Sequence, residues 1–178
     1  HVDAAYGGGM LISQKFPGVL DGIGLADSVT LDPHKWFFAP LDAGAVLVRD
    51  ASQLTKSFGL QPPYLTQESA EAKKRYNFYV HGFEQSRRFR ALKVWMGMKR
   101  YGTKQIGGWV DANVEQANFL YELCEVDPDF EVARKPAMSA ICVRYVGGTL
   151  AEVARNQLHV DVAARVEQGG RFWFSTTY

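Results

Sequence analysis

The sequence predicts an α/β fold in its first half and a small α+β domain in its second half. Three short segments rich in strand-forming residues lie in the first half. Helical or loop residues separate the first two of them, a spacing that suits an α/β layer better than tight hairpins. The second half alternates as helix, strand, strand, helix and strand. Of the 178 residues, 47% are hydrophobic and 22% are charged, which is typical of folded globular proteins.

The strands of the first half are predicted, in chain order, at residues 2–6, 26–31 and 44–49. The first strand runs into three glycines that begin at Gly7. They lack the spacing of a phosphate-binding loop, and we expect them to form a flexible turn. Further along, the Pro62-Pro63 pair interrupts a polar, irregular stretch. We therefore expect a long mobile loop near residues 59–80.

Two helices are predicted on either side of the boundary between the two halves. Ser86 can cap a helix over residues 87–101 that ends at Gly102, and Thr103 can cap a second helix over residues 104–124. The remaining predicted elements are strands at 130–133 and 139–145, a helix at 149–168 and a final strand at 171–177.

Composition and charge exclude several classes of function. The formal net charge is +1, from 20 basic and 19 acidic residues, so neither nucleic acid nor an anionic membrane is an expected partner. Two cysteines are too few for a disulfide framework or a zinc cage, so we expect no metal site and a reducing, cytoplasmic location. The chain begins at His1 rather than Met and ends in strand-like residues, so we expect an internal piece of a longer protein.

The segment that carries chemistry is Asp32-Pro33-His34-Lys35-Trp36, which follows the second predicted strand. Ligands bind at the carboxyl ends of strands in open α/β sheets. Bulky apolar residues after Lys35 would partly desolvate its amine, favouring the neutral, nucleophilic form that makes an imine. From the spacing alone, however, the favoured interpretation is an ordinary surface lysine whose stem packs along Trp36.

Four stretches together resemble the group II pyridoxal-phosphate-dependent amino-acid decarboxylases, the family of the aromatic-L-amino-acid, glutamate, histidine and diaminobutyrate decarboxylases. One is the lysine motif, and it is preceded by His-Val-Asp-Ala-Ala-Tyr-Gly-Gly from His1. The other two are Gln-Pro-Pro-Tyr-Leu from Gln61, and Ser-Arg-Arg-Phe-Arg-Ala-Leu-Lys-Val-Trp from Ser86 with Arg-Tyr-Gly from Arg100. Their order and spacing match the family throughout the chain.

The resemblance implies a fold and an activity. The fold would be the α/β, fold-type I pyridoxal-phosphate-dependent transferase-like fold with a mixed sheet. Residues 1–101 would be the C-terminal half of its large cofactor-binding domain, and 102–178 most of a truncated small C-terminal α+β domain. The reaction would be decarboxylation of an L-amino acid to the amine and CO2 through a Schiff base of pyridoxal 5'-phosphate on Lys35, in a homodimer. An aldehyde synthase, an aminotransferase or a non-catalytic module stay open, and the chain alone would be inactive.

The resemblance also assigns roles to residues around the cofactor. Lys35 matches the Schiff-base lysine, and Asp3 matches the carboxylate that pairs with the pyridine nitrogen. Ala5 matches a small residue against one ring face, and His34 a histidine that positions the cofactor near its phosphate and assists catalysis. The open alternatives are a strand-end capping Asp3, a core Ala5 and a packing His34.

The resemblance makes three further assignments. Asp32 stands near the phosphate where some relatives carry Asn, and because a carboxylate would repel the dianion we expect it to turn away or bind backbone N–H groups. Arg87 matches an arginine near the cofactor, with a helix-surface arginine as the alternative. Tyr64 matches a mobile-loop tyrosine that donates a proton to the substrate α-carbon, with an ordinary exposed tyrosine as the alternative.

Overall fold

The computed structural model describes residues 1–60, 62–65 and 75–177. Much of the loop predicted near 59–80 therefore lies outside the described residues. The chain divides into two compact units, His1–Asp111 and Ala112–Tyr178. The domain boundary predicted between residues 101 and 102 stays a prediction. No helix among the described residues is both long enough and apolar enough to cross a membrane.

The first unit is built on a three-stranded mixed sheet. Its strands are β1 (Val2–Asp3), β2 (Ser28–Leu31) and β3 (Ala45–Val48), in the order β1-β2-β3. β1 runs parallel to β2, with Asp3 opposite Thr30, and β3 runs antiparallel to β2. The predicted α/β class is confirmed, although each strand is shorter than its β-forming segment.

The two faces of β1 and β2 differ in chemistry. Ala4 and Val29 point to one face and are 3% and 9% exposed, so this face belongs to the core. Side chains alternate along a strand, so Asp3 and Thr30 point to the opposite face. That polar face is the one on which the candidate site lies.

The glycine run after β1 is not the flexible turn that the sequence predicts. Residues Gly7–Ile12 form a 3-10 helix in which Gly7, Gly8 and Gly9 are buried. A Cβ on Gly8 would collide with Leu31 Cδ2, and one on Gly9 would lie 2.5 Å from the Cβ of Trp36. These glycines are therefore needed for close packing beneath the lysine segment rather than for flexibility.

Helices follow the sheet. They are α1 (Ser52–Phe58), α2 (Arg90–Glu125) and α3 (Glu152–Gln168), with short 3-10 turns at Pro63–Leu65 and Phe78–His81. Gly102 interrupts α2 with φ 73°, as predicted from its place between two helical patterns. α2 begins at Arg90 rather than at residue 87, and its most buried side chains are Ile106, Val110 and Val114.

The second unit contains an antiparallel pair, β4 (Phe130–Val132) and β5 (Val143–Tyr145), in addition to α3. The helix, strand, strand, helix order is confirmed. The predicted final strand is wrong, because residues 171–177 form no strand. A strand needs a neighbouring ladder for its backbone groups, and in the described residues the second sheet consists of β4 and β5 alone.

Candidate active site

Lys35 lies in a tight turn just beyond the carboxyl end of β2. Its backbone N–H donates to Asp32 O at 2.9 Å, and its carbonyl accepts from Phe38 N at 3.1 Å. The N–H of Ala39 closes the same turn onto Pro33 O at 3.0 Å. This compact backbone presents the lysine at the sheet edge where ligands bind in α/β folds.

The Lys35 amine is paired with a carboxylate of its own turn. Nζ lies 2.8 Å from Asp32 Oδ2, with the side chains 41% and 20% exposed. The Asp32 carboxylate thus forms an ion pair with Lys35, and the expectation that it turns away from the phosphate or binds backbone N–H groups stays a prediction. The amine is engaged in this ion pair, so it must leave Asp32 before it can attack a carbonyl.

Asp3 and Ala5 lie at the same edge, at the end of the neighbouring parallel strand. Asp3 Oδ1 accepts the Ala5 N–H at 3.0 Å, so the capping contact considered from sequence is present. Ala5 O in turn accepts the Asp32 N–H at 3.0 Å, which joins the two strand ends. The cap orients an exposed Asp3 carboxylate through Oδ1.

His1 shares the polar face with Asp3, and sequence reasoning did not select it. Its Nδ1 is 2.7 Å from Ser28 Oγ, and its Nε2 is 3.2 Å from Thr30 Oγ1. The polar/apolar alternation over residues 1–5 and 28–32 is the signal that could have placed these residues on one face.

His34 is fixed by the backbone of Ala43. Its Nδ1 lies 2.6 Å from Ala43 O and 3.4 Å from Ala43 N, and its own N–H donates to Ala43 O at 3.3 Å. With Nδ1–H donating to the carbonyl, Nε2 is the ring nitrogen that can turn to a ligand. The packing role weighed from sequence and a role beside the cofactor are therefore compatible.

Tyr64 and Arg87 are placed by the structure but not brought to Lys35. Tyr64 lies in the Pro63–Leu65 turn with 80% of its surface exposed. The Arg87 guanidinium lies over the Phe78 ring at 5.4 Å, just before α2. Their predicted roles in proton donation and cofactor binding stay predictions.

Sequence reasoning also missed a group of charged residues, called here the Asp42 cluster: Asp42, Glu84, Arg88, Arg90 and Lys93. Arg88 Nη2 and Arg90 Nε each donate to Asp42 Oδ2 at 2.9 Å, and Lys93 Nζ lies 3.8 Å from Oδ1. The Arg90 fork also binds Glu84 at 2.9 and 3.2 Å.

The Asp42 cluster shifts the proton affinities of its members. The hydrogen bond from Arg90 lowers the pKa of Asp42 and that of Glu84, and these two carboxylates raise the pKa of Arg90. All three groups therefore stay charged through the neutral range, and the cluster holds its ion pairs there.

The donor set at this edge suits pyridoxal phosphate. An amine, an oriented carboxylate and a small side chain come from Lys35, Asp3 and Ala5, which hydrogen bonds through Asp32 tie together. The ring of such a cofactor needs a covalent amine anchor, an anion at its nitrogen and room at one face. Among the described residues, no group of three or more His, Cys, Asp or Glu side chains can hold a metal ion.

Comparison with known proteins gives a consistent result. Residues 1–146 match the pyridoxal-dependent decarboxylase conserved domain. The chain is 34% identical to the aromatic-L-amino-acid decarboxylase of Bacillus atrophaeus over 99% of its own length and 37% of that protein's length. The chain thus spans little more than a third of this relative.

Solved structures agree. The chain matches the Oryza sativa TDC with PLP and tryptamine at a TM-score of 0.88 and 30% identity, covering 100% of this chain and 37% of that one. It also matches the Rhodiola rosea 4-hydroxyphenylacetaldehyde synthase at a TM-score of 0.82 and 26% identity, covering 100% and 35%.

Proposed function

The chain belongs to the pyridoxal-dependent decarboxylase family, and from this premise we propose that the full-length protein converts an L-amino acid to its amine and CO2. The observation that carries the proposal is the meeting of Lys35 and Asp3 at one sheet edge, joined through Asp32 and Ala5. A surface lysine with no function would not require an oriented carboxylate on the next parallel strand.

Each residue would then have a distinct task at the cofactor. Pyridoxal phosphate, when bound, supplies a protonated ring that takes up the electron pair left as CO2 departs. The Lys35 amine would anchor the cofactor, and the Asp3 carboxylate would keep the ring nitrogen protonated. His34 would face the cofactor through Nε2, since Nδ1 is engaged with Ala43.

We further propose that Tyr64 and Arg87 act from the segments that flank the site. The exposed Tyr64 hydroxyl would protonate the substrate α-carbon after CO2 has left. Arg87 would add a positive charge near the cofactor, for which its planar fork is suited.

An aldehyde synthase is the second candidate, because a solved aldehyde synthase shares the fold over the whole chain. Aldehyde-forming relatives tend to lack the loop tyrosine hydroxyl, whereas Tyr64 is present here. The decarboxylase is therefore the favoured proposal. A non-catalytic module is disfavoured because Lys35 and Asp3 are both retained.

Partners and location are proposed on the same basis. The substrate would be a small L-amino acid, without nucleic acid or membrane as a partner. The protein would be a cytoplasmic homodimer, which is consistent with the two free cysteines and with the prevalence of two-fold assemblies. Subcellular fractionation of the native host would test the location.

The experiment that tests the function is a CO2-release screen of the full-length protein against the common L-amino acids. Product analysis under air and under nitrogen should identify the amine and no aldehyde. Equal amounts of aldehyde and ammonia in place of amine would favour the second candidate. Absence of CO2 from every substrate, with the cofactor bound on Lys35, would exclude the decarboxylase.

A further inference from the structure

The Asp42 cluster connects the start of α2 to the segment that follows Lys35. The Asp42 carboxylate receives Arg88 and Arg90 at hydrogen-bond distance, and Lys93 lies 3.8 Å from it. Arg90 is the centre of the cluster, because its Nε binds Asp42 while its two terminal nitrogens bind Glu84. Such a fork fixes direction as well as charge.

Ala43, the residue after Asp42, connects the Asp42 cluster to the turn that contains Lys35. Ala43 is 2% exposed, and its N–H and carbonyl both lie within hydrogen-bond distance of the His34 ring. The His34 backbone N–H donates to the same carbonyl. A displacement of Asp42 therefore moves Ala43, and with it the ring and backbone of the residue beside Lys35.

We propose that Asp42, held by Arg88, Arg90 and Lys93, is a positioning residue that fixes the His34–Lys35 turn in the geometry that the cofactor requires. The inference rests on the proposed function for its catalytic consequence. Asp42 would act through Ala43, since its own contacts described here are with Arg88, Arg90 and Lys93.

Three features favour positioning over simple stabilisation. Asp42 is 48% exposed, and ion pairs at such exposure add little to folding stability. The turn beyond Lys35 contains Phe38 at φ 55°, an unfavourable conformation for a bulky residue that persists only where its surroundings impose it. The cluster holds the far end of that same segment.

The test compares Asp42→Asn and Arg90→Lys in the full-length protein, with Asp27→Asn as the matched control. Asp27 is an exposed carboxylate at the opposite end of β2, and its one ion pair described here, with Arg49, is 3.9 Å long. Asparagine keeps the shape of Asp42 without its charge, and lysine keeps the charge of Arg90 without the fork.

Asp42→Asn should lower kcat by about 10²-fold, the effect of a displaced catalytic group, and leave KM nearly unchanged. The pH midpoint of the visible absorbance of the bound cofactor should shift as well, because it reports the surroundings of the Lys35 amine. Arg90→Lys should change both in the same direction by less, and Asp27→Asn should change neither.

Wild-type absorbance midpoints together with wild-type kcat in both variants would overturn the inference. A lower melting temperature with an unchanged kcat in the folded protein would also overturn the inference. If Asp42→Asn does not fold, as judged by circular dichroism, Arg90→Lys decides the matter. If the wild-type protein binds the cofactor on Lys35 but releases no CO2, the proposed function fails, while the absorbance comparison still tests the positioning.

Discussion

At the residue scale, the contact between the Lys35 amine and Asp32 fixes where the amine lies. The 2.8 Å ion pair holds the Lys35 amine at the sheet edge, where a cofactor aldehyde would meet it. The Asp32 carboxylate can stay paired with the amine only until the amine reacts. The Asp32 backbone N–H remains hydrogen-bonded to Ala5 O. The Asp32 carboxylate thus keeps the Lys35 amine close to the sheet edge at which it would react.

Lys35→Ala in the full-length protein should abolish repeated turnover, because the amine both anchors the cofactor and releases the product. Lys35→Arg should fail equally, since the guanidinium stays protonated and cannot form the covalent link. Steady-state CO2 release measures the effect, with Lys56→Ala on the last turn of α1 as the control. Near-normal turnover by either Lys35 variant would remove this residue from the catalytic set.

Tyr64→Phe should retain the cofactor but lower amine formation by about 10²–10⁴-fold, the usual contribution of a positioned general acid. Without the hydroxyl, protonation of the α-carbon slows, and oxidation by dissolved oxygen to aldehyde and ammonia competes. The product ratio under air is the measurement. Tyr76→Phe, which removes a hydroxyl from another exposed tyrosine, is the control. An unchanged amine yield and rate would show that the proton comes from elsewhere.

Some site residues could be identified from the sequence and others could not. The two groups differ in how far along the chain the interacting residues lie from one another. Lys35 and Asp3 stand in contiguous motifs, so their place at one edge was predictable. The pairing of Asp42 with Arg90 spans a separation of 48 residues and leaves no local pattern. His1 was predictable in principle from strand alternation, because it shares a face with Asp3 and Thr30.

At the element scale, local backbone rules predicted more than strand propensity did. Gly102 ended a helix as expected, since its left-handed φ of 73° is a property of the residue itself. Residues 171–177 have strand-forming side chains but no ladder, and pairing is decided by the rest of the molecule. The glycine run was misjudged for a similar reason, because its packing partners Leu31 and Trp36 lie far along the chain.

Gly9→Ala should destabilise the protein by about 1–3 kcal/mol, because the new Cβ would overpack against Trp36. The change would also displace the residue next to Lys35, so cofactor retention should fall with stability. Denaturant unfolding and cofactor release measure the two effects. Gly24→Ala is the control: nothing lies within 4 Å of its Cβ position, so stability should be unchanged or slightly higher. Equal stability of both variants would contradict the packing role of Gly9.

At the scale of the whole molecule, the described surface carries large apolar side chains that a separate chain would leave in water. Leu25, Leu60 and Phe83 are 84%, 87% and 91% exposed. Other aromatic and aliphatic side chains are exposed as well. The exposed apolar surface is therefore larger than the scattered single apolar residues of an ordinary protein surface would give. Contacts with other parts of the full-length protein, or with a second copy, would cover them.

We predict that the full-length protein is a homodimer and that the isolated 178-residue chain aggregates. The physical reason is the exposed apolar surface, which an isologous two-fold interface would bury on both copies at once. Sedimentation equilibrium of the full-length protein should give twice the chain mass over a wide concentration range, and light scattering should detect association of the isolated chain. A fully active, monodisperse monomer would exclude the dimer, and a stable, soluble isolated chain would show that these side chains need no cover.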